Sequence, residues 1–266
     1  MKKFLFLLLN YYVTITAQNI SIYPYLQNAT SNGITIMWEC ENCISSILEW
    51  GNSPNLGNTL YPNTEITSNS TLLHSARISQ LYPNTKYYYK VKTENETTSL
   101  YTFITESNSS DEVDINIIAM SDMQLDSNFP NKFNLINNAI IDYFYQNYFN
   151  DLNQSLSMFL IPGDLVSSGN NYYHWKNHFF SQSRELFSRV PFYPVLGNHE
   201  ENSELYFKYM DLPKNGTLGY EEHWWYKDNS NVRIIGLNSN TQFRISKQLN
   251  LLDSILNMTI GDNSID

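Results

Sequence analysis

Short segments in which apolar and polar residues alternate follow one another closely between residues 20 and 105. Such period-two segments, which predict strands buried on one face, are 34–38, 47–50 and 87–91. Clusters of turn-forming residues separate the segments and lie at 31–33, 51–54 and 82–85. This close spacing of strands and turns, with no helical period between them, predicts an all-β sandwich over residues 18–106.

The pattern changes after a polar linker at residues 107–112. Compact apolar runs, each short enough to be a buried strand, are 115–120, 158–161, 192–196 and 232–237. Stretches with the apolar spacing of helices are 133–149, 172–187 and 249–256. Strands that alternate with helices predict an α/β domain over residues 113–266, in which ligands bind at the carboxyl ends of the strands.

The first 17 residues have the composition of a targeting segment rather than of a fold. Lys2 and Lys3 are followed by the apolar run 4–9, and Ala17 supplies the small residue that precedes a cleavage site. A membrane anchor is the alternative, but the run is shorter than the ~20 apolar residues that a spanning helix needs. We therefore predict a signal peptide over residues 1–17 and a secreted, periplasmic or cell-surface protein.

Charge and cysteine content narrow the classes of function. The 266 residues include 26 Asp plus Glu against 16 Lys plus Arg, a formal net charge of −10. An acidic chain without a basic run is a poor partner for nucleic acid. Its 2 Cys exclude a thiolate zinc cluster, so a metal site needs His, Asp, Glu, Asn or Gln ligands. Cys40 and Cys43 form either a small disulfide loop, as export would allow, or a pair of idle thiols.

Oxygen-rich side chains follow the first three predicted strands of the α/β domain. The segments are Ser121-Asp122-Met123-Gln124, Gly163-Asp164-Leu165-Val166 and Gly197-Asn198-His199-Glu200. A single aspartate after a strand is more often a helix cap than a metal ligand. Three such segments at one rim of a sheet predict a site for divalent cations, because carboxylate and amide oxygens are ligands for such ions.

These segments, in this order, resemble the DxH, GDxx and GNH[DE] motifs of the calcineurin-like metallophosphoesterase superfamily. The preceding segments 81–91 and 101–105 resemble the tyrosine-corner region and closing strand of a fibronectin type III domain. Together they resemble a purple acid phosphatase, and the resemblance covers nearly the whole chain after residue 17. It implies an αββα phosphoesterase domain, here incomplete, preceded by a fibronectin type III-like domain.

The resemblance also implies a site and a reaction. Two divalent metal ions, Zn, Mn or Fe, would be held by Asp122, Gln124, Asp164 and Asn198, with Asp164 as the bridging ligand. His199 would stabilise the phosphoryl oxygens or protonate the leaving alkoxide. The implied activity is that of an exported acid phosphatase-like hydrolase, which cleaves small phosphomonoesters by attack of a metal-bound hydroxide.

The sequence departs from the family pattern at three places. Gln124 stands where most members have His, which predicts weaker metal binding. Ser167 stands where the purple enzymes have the tyrosine that binds ferric iron, which predicts a colourless protein. The sequence ends at Asp266, before two later histidine motifs, so we expect the C-terminal part of the domain to be missing and this chain to be of low activity.

Two alternatives to that reaction remain open. The first is a non-catalytic cell-surface or adhesion module with a degenerate phosphatase half. The second keeps the superfamily but makes the substrate a phosphodiester or a nucleotide.

His174 and His178, at a spacing of four, are compatible with a zinc site on one helix face, but Trp175 and Phe179 favour an ordinary helix that packs into the core.

Overall fold

The computed structural model describes residues 19–94, 96–148, 152–262 and 264–265. The predicted signal peptide, residues 1–17, lies outside these ranges. Among the helices in them, none has the length and apolar character to cross a membrane.

The first part of the described chain folds into two four-stranded antiparallel sheets. One sheet has the order β1-β2-β6-β5, with β1 at Asn19–Thr30, β2 at Gly33–Glu41, β5 at Asn63–Ile66 and β6 at Leu72–Ser79. The other has the order β4-β3-β7-β8, with β3 at Ser46–Gly51, β4 at Asn58–Leu60, β7 at Lys86–Thr93 and β8 at Tyr101–Ile104. Trp38, Leu48, Tyr89 and Phe103 belong to one buried cluster between them. The predicted β-sandwich is therefore confirmed.

The second part of the chain is built around a parallel sheet of three strands. Their order is β11-β10-β9, with β9 at Ile117–Ala119, β10 at Met158–Ile161 and β11 at Phe192–Pro194. The α-helices are α1 at Lys132–Tyr148, α2 at Leu152–Ser155, α3 at Ser181–Phe187, α4 at Glu204–Tyr209 and α5 at Ser246–Ile260. A hairpin of β12 (Trp225–Asn229) and β13 (Val232–Gly236) forms a separate two-stranded sheet. The α/β domain predicted from the alternation of strands and helices is confirmed.

Two predicted elements differ from those observed. The helix expected over 172–187 begins as a π-helix, His174–Phe180, and continues as α3. The wider π turn places Trp175, Phe179 and Phe180 in the core together, which confirms Trp175 and Phe179 as core residues. The predicted strand 232–237 is observed as β13, but it pairs with β12 in an antiparallel hairpin and does not join the parallel sheet.

The two domains share a packed interface. The large core of the α/β domain includes Ile22, Tyr25 and Met37 from the sandwich. Strand β2 is consequently buried on both faces, although its alternating pattern predicts burial on one. The second face is covered because the α/β domain packs against it, a tertiary contact that periodicity does not reveal. On the same strand, Cys40 forms a disulfide with Cys43.

Candidate metal centre

The loops that follow the three parallel strands contact one another through their backbones. Asp122 follows β9, Asp164 follows β10, and Asn198 and His199 follow β11. The backbone N–H of Met123 donates to the carbonyl oxygen of Asp164 at 3.0 Å. From the other side, the N–H of His199 donates to Oδ1 of Asp164 at 3.1 Å. Asp164 thus lies between the other two loops.

Both aspartates have a backbone conformation that is rare for residues other than glycine. The φ angle is 58° at Asp122 and 58° at Asp164, in the left-handed region. This conformation costs on the order of 1–2 kcal/mol per residue for an L-amino acid. Such strain persists where the surrounding structure imposes it, and it is concentrated at functional sites. Ten other non-glycine residues in the described part of the chain share this conformation, so Asp122 and Asp164 are distinguished by their place after β9 and β10 and not by strain alone.

Two glycines let the second and third loops approach closely. Gly163 has a φ of +100°, and a Cβ there would lie 2.7 Å from the Cα of Gly197. A Cβ on Gly197 would in turn overlap Oδ1 of Asp164. Any larger residue at either position would push the loops apart and move the Asp164 carboxylate.

A buried carboxylate, Glu200, holds the same two loops together. It is fully inaccessible to solvent. Its oxygens accept four backbone hydrogen bonds, from Asp164 at 2.9 Å, Leu165 at 2.8 Å, Val166 at 3.3 Å and Gly197 at 2.7 Å. Burial raises the pKa of Glu200, and the backbone donors oppose that rise. Glu200 is a positioning residue that the sequence reasoning did not assign, although it is the last residue of the segment Gly-Asn-His-Glu.

His199 is anchored at the edge of the site through one ring nitrogen. Its Nδ1 donates to the backbone carbonyl of Ser167 at 3.0 Å. That bond raises the pKa of His199, and the nearby carboxylates of Asp164, Glu200 and Glu201 contribute further. Because Nδ1 is occupied, Nε2 is the atom with which His199 can reach a substrate. Ser167 contributes its carbonyl to this arrangement, not its hydroxyl.

The predicted ligands differ in exposure. Asp122 and Asn198 are exposed, whereas Gln124 and Asp164 are half-buried. Asp122 accepts a hydrogen bond from the Ser121 hydroxyl. Asp122 and Gln124 also line a cavity of about 260 Å³. The loops that carry all four residues are brought to one rim of the sheet.

The donor set fits a divalent cation in its chemistry, because carboxylate and amide oxygens are hard ligands. It contains two carboxylates and two amides. Over the described ranges, no three His, Cys, Asp or Glu side chains are grouped so that they could hold a metal ion.

Other histidines in the described part of the chain serve local structure. The rings of His174 and His178 stack on the π-helix with centroids 4.9 Å apart. His223 Nε2 is 2.9 Å from Oδ1 of Asn202, and its ring packs on Phe207. His174, His178 and His223 therefore pack against neighbouring side chains and lie outside the candidate metal centre.

Comparison with known proteins agrees with this arrangement. Residues 20–105 match the N-terminal domain of purple acid phosphatases, and residues 115–263 match the calcineurin-like phosphoesterases. No curated protein is a significant match to the chain.

Solved structures add a likeness of fold. The structure of PhoD superimposes with a TM-score of 0.57 at 11% identity, covering 84% of this chain and 52% of that chain. This chain therefore spans about half the length of that protein, and at this identity the likeness concerns the fold alone. The sensor domain of the anti-sigma factor RsgI4 in Pseudobacteroides cellulosolvens has a TM-score of 0.29 at 24% identity, over 37% of this chain and 99% of that one.

The family match extends over more than half of the chain and includes each of the loops that meet around Asp164. The chain therefore belongs to the calcineurin-like phosphoesterase family, and it carries the N-terminal domain of the purple acid phosphatases.

Proposed function

We propose that this metallophosphoesterase is an exported, acid phosphatase-like enzyme that hydrolyses small phosphomonoesters at a centre of two divalent metal ions. The observation that carries the proposal is the arrangement of Asp164. Its strained backbone is held between two loops by the buried carboxylate of Glu200, while the His199 N–H orients its side chain. A costly arrangement of this kind is expected where a carboxylate must be presented in one orientation.

The four predicted ligands divide between two metal positions. Asp122, Gln124 and Asp164 would hold one ion, while Asp164 and Asn198 would hold the other. Of the ions that the resemblance implies, Mn²⁺ suits these oxygen donors best, whereas Zn²⁺ and Fe²⁺ are more often held by sets that include imidazole. Such ions supply Lewis acidity, which polarises a phosphoryl oxygen and lowers the pKa of water.

The protein's own groups would bind and protonate the substrate. His199 is anchored through Nδ1, so Nε2 is free to donate to a phosphoryl oxygen or to the leaving alkoxide.

The proposed export rests on the composition of residues 1–17. The disulfide between Cys40 and Cys43 supports it, because disulfides persist in oxidising compartments and are rare in the cytosol.

Phosphate release from 4-nitrophenyl phosphate tests the proposal when Zn²⁺, Mn²⁺ or Fe²⁺ is added to the full chain. We expect a low, metal-dependent rate of release from this chain, and we expect Asp164→Asn to abolish it. Asp253→Asn, which changes an exposed aspartate on α5, is the matched control and should behave as the wild type. Equal rates in the two variants would reject the proposed role of Asp164.

A second candidate, a non-catalytic module, is favoured by Gln124, an amide where most members of the family have an imidazole. It predicts a folded chain that binds no divalent ion at millimolar concentration. A calorimetric titration with Zn²⁺ separates the two candidates, because only the enzyme shows saturable binding that depends on Asp164.

A further inference from the structure

The loop that carries Asp122 and Gln124 also forms one wall of a pocket. The pocket, with a volume of about 260 Å³, is bounded further by the turn 125–130, by the start of α1 and by Gln182 of α3. We call it the Phe129 pocket. Because two predicted metal ligands line it, a substrate whose phosphate lies at those ligands would have its remaining part next to the pocket.

The interior of the Phe129 pocket is apolar. Met123 and Phe133 are buried there, at 4% and 6% exposure, and Ile136 completes the lining on that side. At the rim, Phe129 leaves 67% of its surface open to solvent and Leu125 leaves 37%. Exposed apolar side chains around a concave surface are typical of a ligand-binding site.

Of the three charged side chains that line the pocket, two form an ion pair. Lys132 lies 4.0 Å from the carboxylate of Asp126, and both side chains are partly exposed. The third, Asp122, lies at the end of the pocket formed by the predicted metal ligands, so the apolar interior suits a neutral group better than an ionic one.

The walls of the pocket are held in place by hydrogen bonds. The Asp126 side chain accepts from the N–H of Asn128 at 2.9 Å, and its carbonyl accepts from the N–H of Phe129 at 3.1 Å. Gln182 donates to the carbonyl of Pro130 at 3.3 Å and accepts from the N–H of Asn134 at 3.2 Å. A pocket that is formed before binding costs a ligand little ordering free energy.

Size and lining together define an occupant. A dry apolar cavity of roughly 150 Å³ holds one benzene molecule, so about 260 Å³ accommodates one or two fused rings. We propose that the Phe129 pocket binds the aromatic alcohol portion of a phosphate ester, with Phe129 as the stacking surface. The inference rests on the proposed function and deepens it, since it names aryl phosphates as the preferred substrates.

Two measurements on the full chain test this assignment. The first is the fluorescence titration of 1-naphthol into metal-free protein, which reports on the pocket without any catalysis. The second is the ratio of kcat/KM for 1-naphthyl phosphate to that for glycerol 2-phosphate, followed by phosphate release with added metal. Phe129→Ala is compared with Tyr61→Ala, which removes an exposed aromatic ring from the sandwich.

We expect Phe129→Ala to weaken 1-naphthol binding about fivefold, as loss of one aromatic contact does, and to lower the kcat/KM ratio by a similar factor. Tyr61→Ala should change neither. Absence of 1-naphthol binding, or binding that Phe129→Ala leaves unchanged, would overturn the inference. If 1-naphthol binding depends on Phe129 but no phosphate is released with any metal, the pocket assignment is supported and the proposed function fails.

Discussion

Among the residues that the structure describes, Glu39 and Glu200 are fully buried glutamates with different partners. Glu39, at the interface between the domains, accepts from the hydroxyls of Ser21 at 3.1 Å, Tyr172 at 2.5 Å and Tyr209 at 2.7 Å. Glu200, at the candidate metal centre, accepts from four backbone N–H groups. The first carboxylate joins side chains of separate elements, whereas the second determines the path of the backbone itself.

The difference concerns how far the partners can adapt. A hydroxyl is both donor and acceptor and can rotate, so it can pair with a carboxylate or with an amide. A backbone N–H is only a donor and is fixed in direction, so it needs an acceptor at one position. The interface should therefore tolerate the loss of the Glu39 charge, while the site should not tolerate the loss of Glu200.

The largest effect is expected for Glu200→Gln. The amide oxygen can accept two of the four N–H groups, and the amide nitrogen would face the other two. Each unsatisfied donor costs about 1–3 kcal/mol, so the free energy of unfolding should fall by about 3 kcal/mol. Metal affinity should fall by roughly 10- to 100-fold, as it does when groups behind a metal site are changed. Urea unfolding and calorimetry measure the two effects.

The neighbouring Glu201→Gln is the matched control. Glu201 is exposed and accepts from the Asn170 side chain at 2.8 Å, a bond that a glutamine can keep. Equal losses of stability in the two variants would show that the four backbone bonds of Glu200 have no special importance.

The next largest effect is a pH dependence of the free energy of unfolding. It arises in the sandwich and not at the candidate metal centre. His74 pairs with Trp38 in the register of β6 and β2, one residue from Glu39. Burial lowers its pKa from 6.5 to about 4. Between these values the unfolded chain takes up a proton that the folded chain does not, so stability falls as the pH falls. The loss should be about 2 kcal/mol between pH 7 and pH 4.5.

His74→Gln should remove that part of the pH dependence, and urea unfolding at the two pH values measures it. If the variant keeps the full slope of the wild type, His74 does not titrate in this way and other groups cause the loss.

A smaller effect is expected for Glu39→Gln. Burial raises the pKa of Tyr172 and Tyr209, so both hydroxyls stay protonated and can turn to suit an amide. We expect a loss of about 1 kcal/mol, the difference between a charge-assisted and a neutral hydrogen bond. A loss as large as that of Glu200→Gln would contradict the comparison.

The smallest expected effect concerns the visible absorption spectrum of the iron-loaded protein, in which we expect no band. Ser167 presents its backbone carbonyl to His199, and its hydroxyl cannot replace the phenolate that gives purple enzymes their colour. Protein loaded with ferric iron should therefore show no charge-transfer absorption in the visible range. A visible band would show that another residue supplies a phenolate ligand.

Local patterns predicted the elements and the order of the site loops. The expected helix 133–149 corresponds to α1 at Lys132–Tyr148, and the strand 158–161 is observed as Met158–Ile161. The segments after three strands were expected at one rim, and the contacts of Asp164 with Met123 and His199 agree with that expectation. Periodicity and turn residues are sufficient for such features because they depend on near neighbours in the chain.

Features that depend on distant contacts were not predictable in this way. The second buried face of β2 arises from docking of the α/β domain, and the role of Glu200 from backbone groups 34 to 36 residues earlier. The Phe129 pocket likewise needs α1 and α3 side by side. A sequence pattern records which side chains are apolar or charged, but not which backbone donors meet them after folding.

The most direct test of the account is a titration of the full chain with Mn²⁺, followed by electron paramagnetic resonance of the free ion. We expect saturable binding that Asp122→Asn and Asp164→Asn each weaken by about a hundredfold, the upper end of the range seen when groups around a metal site are changed. Asp253→Asn should leave the affinity unchanged, since it alters an exposed side chain on α5. Equal Mn²⁺ affinity in the wild type and all three variants would contradict a metal centre on these loops.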